Sequence, residues 1–131
     1  MTHRRPMLAA LVAAAALLLT GASCIPAQAA VDKTPPSTPL FGYAQGFFCF
    51  TLYIGVGRVS DNVTPEPQLR YEAYANGQFI GLMDRGSSSS AWGNLKLTDE
   101  GPNQVFVEVV DEAGNRSRSE TVTVTGYDCE V

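Results

Sequence analysis

Histidine is almost missing from this 131-residue chain, occurring once, at His3. Cysteine is scarce as well, with three residues, and there is a single tryptophan, Trp92. Charged residues make up only 17%. Past residue 30 no stretch shows helical periodicity, no segment repeats, and lysine and arginine never cluster. Each scarcity excludes something. Past residue 30 there is no histidine and only two cysteines, Cys49 and Cys129, so the usual nucleophilic triads cannot be assembled there and an enzyme is not expected. An acidic chain, with formal net charge −4 and no basic cluster, is a poor partner for nucleic acid or anionic membranes. Without amphipathic helices, any core has to be built from strands.

The opening residues read as a targeting signal. Arg4 and Arg5 precede Met7 to Leu19, 13 consecutive apolar residues, and Ala27-Gln28-Ala29 supplies a cleavage pattern. That run is too short for a comfortable membrane span. Residues 1–29 are therefore expected to be a secretory signal peptide, leaving a secreted, extracellular chain. The alternative is a lipoprotein anchored through Cys24, although Gly21 stands where such signals usually carry an aliphatic residue. Loss of the leader removes His3 and both arginines, leaving seven basic against 13 acidic residues, a formal net charge of −6. It also leaves two cysteines, Cys49 and Cys129. An even pair in an exported chain is expected to form a disulfide, and the wide spacing lacks any Cys-x-x-Cys redox logic.

What remains is strand and turn. Residues 30–39 hold Pro35, Pro36 and Pro39, a stiff lead-in rather than a central strand, and as such favoured over a polyproline ligand. Leu40 to Tyr43 is a short strand candidate, and Phe47 to Ile54 (FFCFTLYI) reads as one strong strand of β-branched and aromatic residues. Ser60 to Pro67 is a loop. Leu69 to Ala75 alternates, with Leu69, Tyr71 and Ala73 on the core side. Asn76-Gly77 is the strongest hairpin signal, and Gln78 to Met83 is the return strand. The 85–90 loop (RGSSSS) looks solvated. Trp92 to Leu97 is a further strand in which Trp92 has the parity opposite to Leu95 and Leu97, unless Gly93 carries a bulge. Finally Val105, Val107 and Val109 share one parity, as do Val122 and Val124, across a polar turn at Gly114-Asn115. About seven short strands with regularly spaced turns predict an all-β Greek-key sandwich over residues 40–131.

Asp32-Lys33-Thr34-Pro35-Pro36, Ser60-Asp61-Asn62, Tyr71-Glu72-Ala73-Tyr74-Ala75-Asn76-Gly77 and Val109-Val110-Asp111-Glu112-Ala113-Gly114-Asn115-Arg116-Ser117 together resemble a bacterial fibronectin type III-like domain. The resemblance covers nearly all of the chain after the leader. It implies an immunoglobulin-like sandwich that serves secreted glycoside hydrolases and cell-surface proteins as a spacer or adhesive domain. Tyr53 to Val56 stands where that family usually has a tryptophan, and the cysteine pair is unusual for it. A plain immunoglobulin-like bacterial domain is the alternative.

Three groups of residues are candidates for a site. If Leu69, Tyr71 and Ala73 face the core, then Arg70, Glu72 and Tyr74 face out, as do Phe106 and Val110 on the neighbouring strand. Tyr74, Phe106 and Val110 could form an exposed apolar patch rimmed by Arg70, Glu72 and Glu108, or merely pair across strands. Asp61, Asn62, Asp111 and Asn115 are hard oxygen ligands suited to calcium, or simple turn caps. No cofactor is expected. Asn62-Val63-Thr64 and Asn115-Arg116-Ser117 match a glycosylation pattern, discounted because Pro65 follows the first and the leader resembles a bacterial one. The expected function is a monomeric, non-catalytic binding or structural module for polysaccharide or a cell-surface protein. The alternative is a small secreted inhibitor or ligand carrier acting through loops 60–67 and 84–90.

Overall fold

The computed structural model describes residues 30–85 and 90–130. The expected signal peptide, Cys24 and most of the serine-rich loop lie outside the described residues. Nine strands are found among them: β1 Phe41–Phe47, β2 Thr51–Gly57, β3 Arg70–Ala75, β4 Gln78–Leu82, β5 Asp84–Arg85, β6 Ser90–Lys96, β7 Gly101–Val110, β8 Arg116–Arg118 and β9 Val122–Gly126. A four-stranded antiparallel sheet runs β1-β2-β6-β5. A five-stranded one runs β4-β3-β7-β8, with β9 also paired to β7. The all-β expectation holds, and the two strands beyond the expected seven are very short, β5 and β8.

The sheets close over one core because inward positions on both carry branched or aromatic side chains. Leu52, Ile54, Val56, Ala91 and Leu97 meet Leu69, Tyr71, Ala73, Val105, Val107, Val109 and Val124. Each fully buried Val, Leu or Ile contributes about 1.5–3 kcal/mol. The alternation read for β3 and β7 is therefore the real one. Asn76 and Gly77 both have positive φ (51° and 79°), as a two-residue hairpin turn requires. Met83 is buried where the chain leaves β4 of one sheet for β5 of the other. β8 and β9 share β7 as partner, and at the break Val107 N–H donates to Ser119 Oγ (2.9 Å) while Ser119 N–H donates to the Val107 carbonyl (2.9 Å). The ladder is thus continuous in hydrogen bonds where it is not in strand.

The Phe47–Ile54 strand is a correction. Residues 48–50 are a turn, and the segment folds back as the hairpin β1–β2, with Phe47 opposite Thr51. No glycine or asparagine announces this turn. Cys49 and Phe50 instead take left-handed φ values of 59° and 57°. Long-range contacts hold them there: Phe50 N–H donates to the Tyr127 carbonyl (2.9 Å), Leu97 N–H to the Phe50 carbonyl (2.7 Å), and Cys49 is disulfide-bonded to Cys129. Trp92 raises no bulge, since β2 and β6 pair without a register shift from Thr51–Lys96 to Gly57–Ser90.

Tyr71 is a buried polar pin. Its hydroxyl accepts a hydrogen bond from Val59 N–H (3.1 Å), and both residues are buried. Burial, more than any charge, pushes the phenol pKa up. Tyr71→Phe keeps the ring but strands the amide, so urea denaturation should show a loss of about 1–3 kcal/mol.

Candidate functional site

The outer face of the five-stranded sheet has the expected parity but not the expected surface. Tyr74 pairs with Phe106, Glu72 with Glu108, and Arg70 with Val110. Yet Phe106 is only 6% and Val110 only 2% exposed, so the apolar patch predicted from Tyr74, Phe106 and Val110 is covered. Phe106 is stacked against Tyr74 (centroids 4.9 Å apart, planes 4° from parallel), and the Arg118 guanidinium lies 3.3 Å from its ring centroid. Val110 sits between Arg70 and Arg116 across the ladder. Long arginine side chains cover apolar surface while keeping their charge in water, which parity cannot reveal.

A polar network crosses this face. Arg116 Nη1 donates to Glu72 Oε2 (2.7 Å) and Glu108 Oε2 (2.8 Å), Arg70 Nη2 donates to Glu72 Oε1 (3.2 Å), and the Tyr74 hydroxyl donates to Glu72 Oε2 (2.9 Å). Burial pushes the Glu72 pKa up, but the Arg116 and Tyr74 hydrogen bonds outweigh it and hold the carboxyl below its usual range. A carboxylate depressed in the folded state contributes stability above its unfolded pKa and loses it as pH falls through the folded value. Arg116→Ala should therefore cost about 1–3 kcal/mol at neutral pH. The two stabilities should converge in chemical denaturation as the solution is acidified below the carboxylate range.

On this face the exposed ring is Phe79, at its edge beside Tyr74; the other sheet displays several in a group. Outward positions on β1, β2, β6 and β5 line up in three rungs: Tyr43–Gly55–Trp92–Asp84, Gln45–Tyr53–Asn94 and Phe47–Thr51–Lys96. Tyr43 (51% exposed), Phe47, Tyr53 and Trp92 (41%) all face solvent. Gly55 is the gap that lets the Tyr43 ring lie across the sheet, since a Cβ there would meet Tyr43 Cε1 at 2.4 Å. The backbones of Tyr43 and Trp92 are two strand spacings apart, roughly 10 Å, and the Tyr43 ring reaches over Gly55 into the space between them. Phe47 is set edge-on to Tyr53 with centroids 4.9 Å apart, and Asn94 Nδ2 donates to the Tyr53 hydroxyl (3.3 Å). Tyr43, Gln45, Phe47, Phe48, Thr51 and Tyr53 enclose an open depression of about 490 Å³. Lys96 Nζ is turned toward the chain, donating to the Cys49 carbonyl (2.7 Å) and Thr51 Oγ1 (3.2 Å). The face is consequently aromatic with interspersed amides, and its charged residues, one of each sign, are Lys96 and Asp84 in its end rungs. It suits flat, hydroxyl-rich, uncharged ligands better than a phosphate backbone, whose binding needs several cations.

The calcium candidates also meet, with one addition. Loop 60–67 and the turn after β7 lie together, Glu112 N–H donating to Thr64 Oγ1 (3.1 Å). One carboxylate oxygen each from Asp32, Asp61 and Asp111 lie within 4.8 Å of one another. Asn62 and Asn115 are not arranged as ligands. Asn115 Nδ2 donates to Asp111 Oδ2 (2.7 Å) and the Asp32 carbonyl (3.1 Å), and Asn62 Nδ2 to Asp32 Oδ1 (3.3 Å). Asp32 escaped the sequence reading because it lies in the proline-rich lead-in, far along the chain from the other two.

No protein-family model and no curated protein matches this sequence.

Proposed function

We propose that the protein is an exported, non-catalytic binding module of the fibronectin type III-like kind, whose ligand is a neutral polysaccharide held on the outer face of the four-stranded sheet. The observation that carries this is the alignment of Tyr43, Phe47, Tyr53 and Trp92 on one solvent-facing side of β1, β2 and β6. A folded domain has no reason of its own to leave four large aromatic rings side by side in water. Rings present apolar faces to the C–H faces of pyranoses, while Gln45 and Asn94 offer amide donors and acceptors to ring hydroxyls.

Two further features support the reading. The Cys49–Cys129 disulfide is compatible with an extracellular protein. The two antiparallel sheets are consistent with a β-sandwich, the architecture that the resemblance in the Asp-Lys-Thr-Pro-Pro and Asp-x-Ala-Gly-Asn motifs implies. The test is retention on insoluble polysaccharides and cell walls. Binding to at least one uncharged matrix is expected, unaffected by salt because no ion pair is involved. Retention only on anionic matrices, and its loss in salt, would speak against the assignment.

A further inference from the structure

At the end of the sandwich opposite the disulfide, two carboxylate oxygens are in a situation that proteins rarely tolerate. Asp32 Oδ2 and Asp61 Oδ1 are each buried to less than 1 Å² of exposure and have no hydrogen-bond partner. Buried polar atoms are almost always paired, and an unpaired acceptor on a charged group is especially costly. These two belong to carboxylates that converge with Asp111 to within 4.8 Å. Among the described residues, Arg70, Arg85 and Arg116 are engaged elsewhere, Arg85 with Glu66, Arg70 with Glu72, and Arg116 with Glu72 and Glu108.

The remaining oxygens show that the trio is held in place. Asp32 Oδ1 accepts from Thr34 N–H (3.0 Å), and Asp61 Oδ2 from Val63 N–H (3.0 Å) and Thr64 N–H (2.7 Å). Asp111 Oδ1 accepts from Asn115 N–H (2.7 Å) and its Oδ2 from Asn115 Nδ2. Backbone donors thus occupy one side of Asp32 and of Asp61 and leave the other oxygen turned away from them.

We propose that Asp32, Asp61 and Asp111 form a calcium site that clamps the lead-in segment onto the end of the sandwich. An all-oxygen, three-carboxylate set is hard, which disfavours zinc and copper. The ligands come from three separate stretches of chain, and such a site accommodates the irregular coordination of calcium better than the strict octahedron of magnesium. The lead-in is already tied here by hydrogen bonds: Ser37 N–H to the Ser60 carbonyl (2.8 Å), Ser60 N–H to Ser37 Oγ (2.9 Å) and Ser117 Oγ to the Ser37 carbonyl (3.0 Å). An ion would add the one strong link, at Asp32, that those contacts lack.

The experiment strips the protein with EDTA and titrates it with calcium chloride, reading binding heat and melting temperature together. A single-site isotherm is expected, with Kd of about 10⁻⁴–10⁻³ M or tighter, together with a rise in melting temperature that magnesium at equal concentration reproduces poorly. Asp32→Asn and, separately, Asp61→Asn should each remove the calcium response. In EDTA both variants should still unfold in a single cooperative transition, which separates loss of the ion from loss of the fold. Absence of heat and of any melting shift up to about 10 mM calcium would overturn the site. So would a parental calcium response in both variants.

Discussion

Replacing both Cys49 and Cys129 with alanine is expected to lower stability by about 4 kcal/mol, the largest effect of any pair of substitutions away from the core. The bridge closes a loop of 80 residues, nearly the whole sandwich, so its removal frees much of the unfolded chain. A domain of this size has only about 5–15 kcal/mol in total. The melting temperature should fall by about 15–30 °C, and the denaturant slope should rise because the reduced unfolded chain is more expanded. The consequence for function is local. Cys49 and Phe50 hold left-handed φ values that cost of order 1 kcal/mol or more each, and the bridge to Cys129 together with the bonds to 127–128 keeps them there. Released, the turn should carry Phe47 and Phe48 out of line with Tyr53. Ligand affinity should then fall even at temperatures where the double variant remains folded, as binding isotherms beside circular dichroism would show.

Tyr53→Ala combined with Trp92→Ala should reduce affinity for the retaining polysaccharide by about thirty-fold to a thousand-fold, on the basis of about 1–2 kcal/mol or more per exposed aromatic anchor. Stability should change far less. Both rings are about two-fifths exposed, and neither belongs to the buried cluster. Trp92 lies opposite Gly55 and Asp84, so its loss opens no cavity in the sandwich. Tyr53 packs on Phe47 and accepts from Asn94, contacts made on the solvent side. The reading therefore separates affinity from stability at two residues of one face. The same substitutions in a purely structural spacer would leave both unchanged.

Much of the fold was legible because its strands obey simple alternation. Val105, Val107 and Val109 point inward as their parity says, and Asn76-Gly77 turns as those two residues must. The β1–β2 hairpin was not legible, because its turn is made of Phe48, Cys49 and Phe50, residues with every local reason to extend. Only the distant partners at 95–98 and 127–129 explain it. The candidate site was hidden by the same segment. As one extended strand, Phe47 to Ile54 would carry Thr51 and Tyr53 away from Tyr43 and Gln45 along the chain. Folding it back sets Tyr43 and Gln45 beside them and brings Trp92 alongside. A clean alternation drew attention to Tyr74 and Phe106 instead. What alternation could not convey is that Arg118 caps one ring while Arg70 and Arg116 flank Val110. Asp61 and Asp111 were visible as turn acids, but Asp32 joins them only through the tertiary path of the proline-rich lead-in.

The most direct measurement compares three proteins on one retaining polysaccharide matrix: the parent, Tyr53→Ala/Trp92→Ala, and a control altered on the opposite sheet, Arg70→Ala/Arg118→Ala. Melting temperatures would be recorded in parallel. Parental and control retention with loss in the aromatic variant, at an essentially unchanged melting temperature for that variant, is the outcome that a glycan platform on β1, β2 and β6 requires. Full retention of the aromatic variant, or loss confined to the opposite-sheet control, would contradict it.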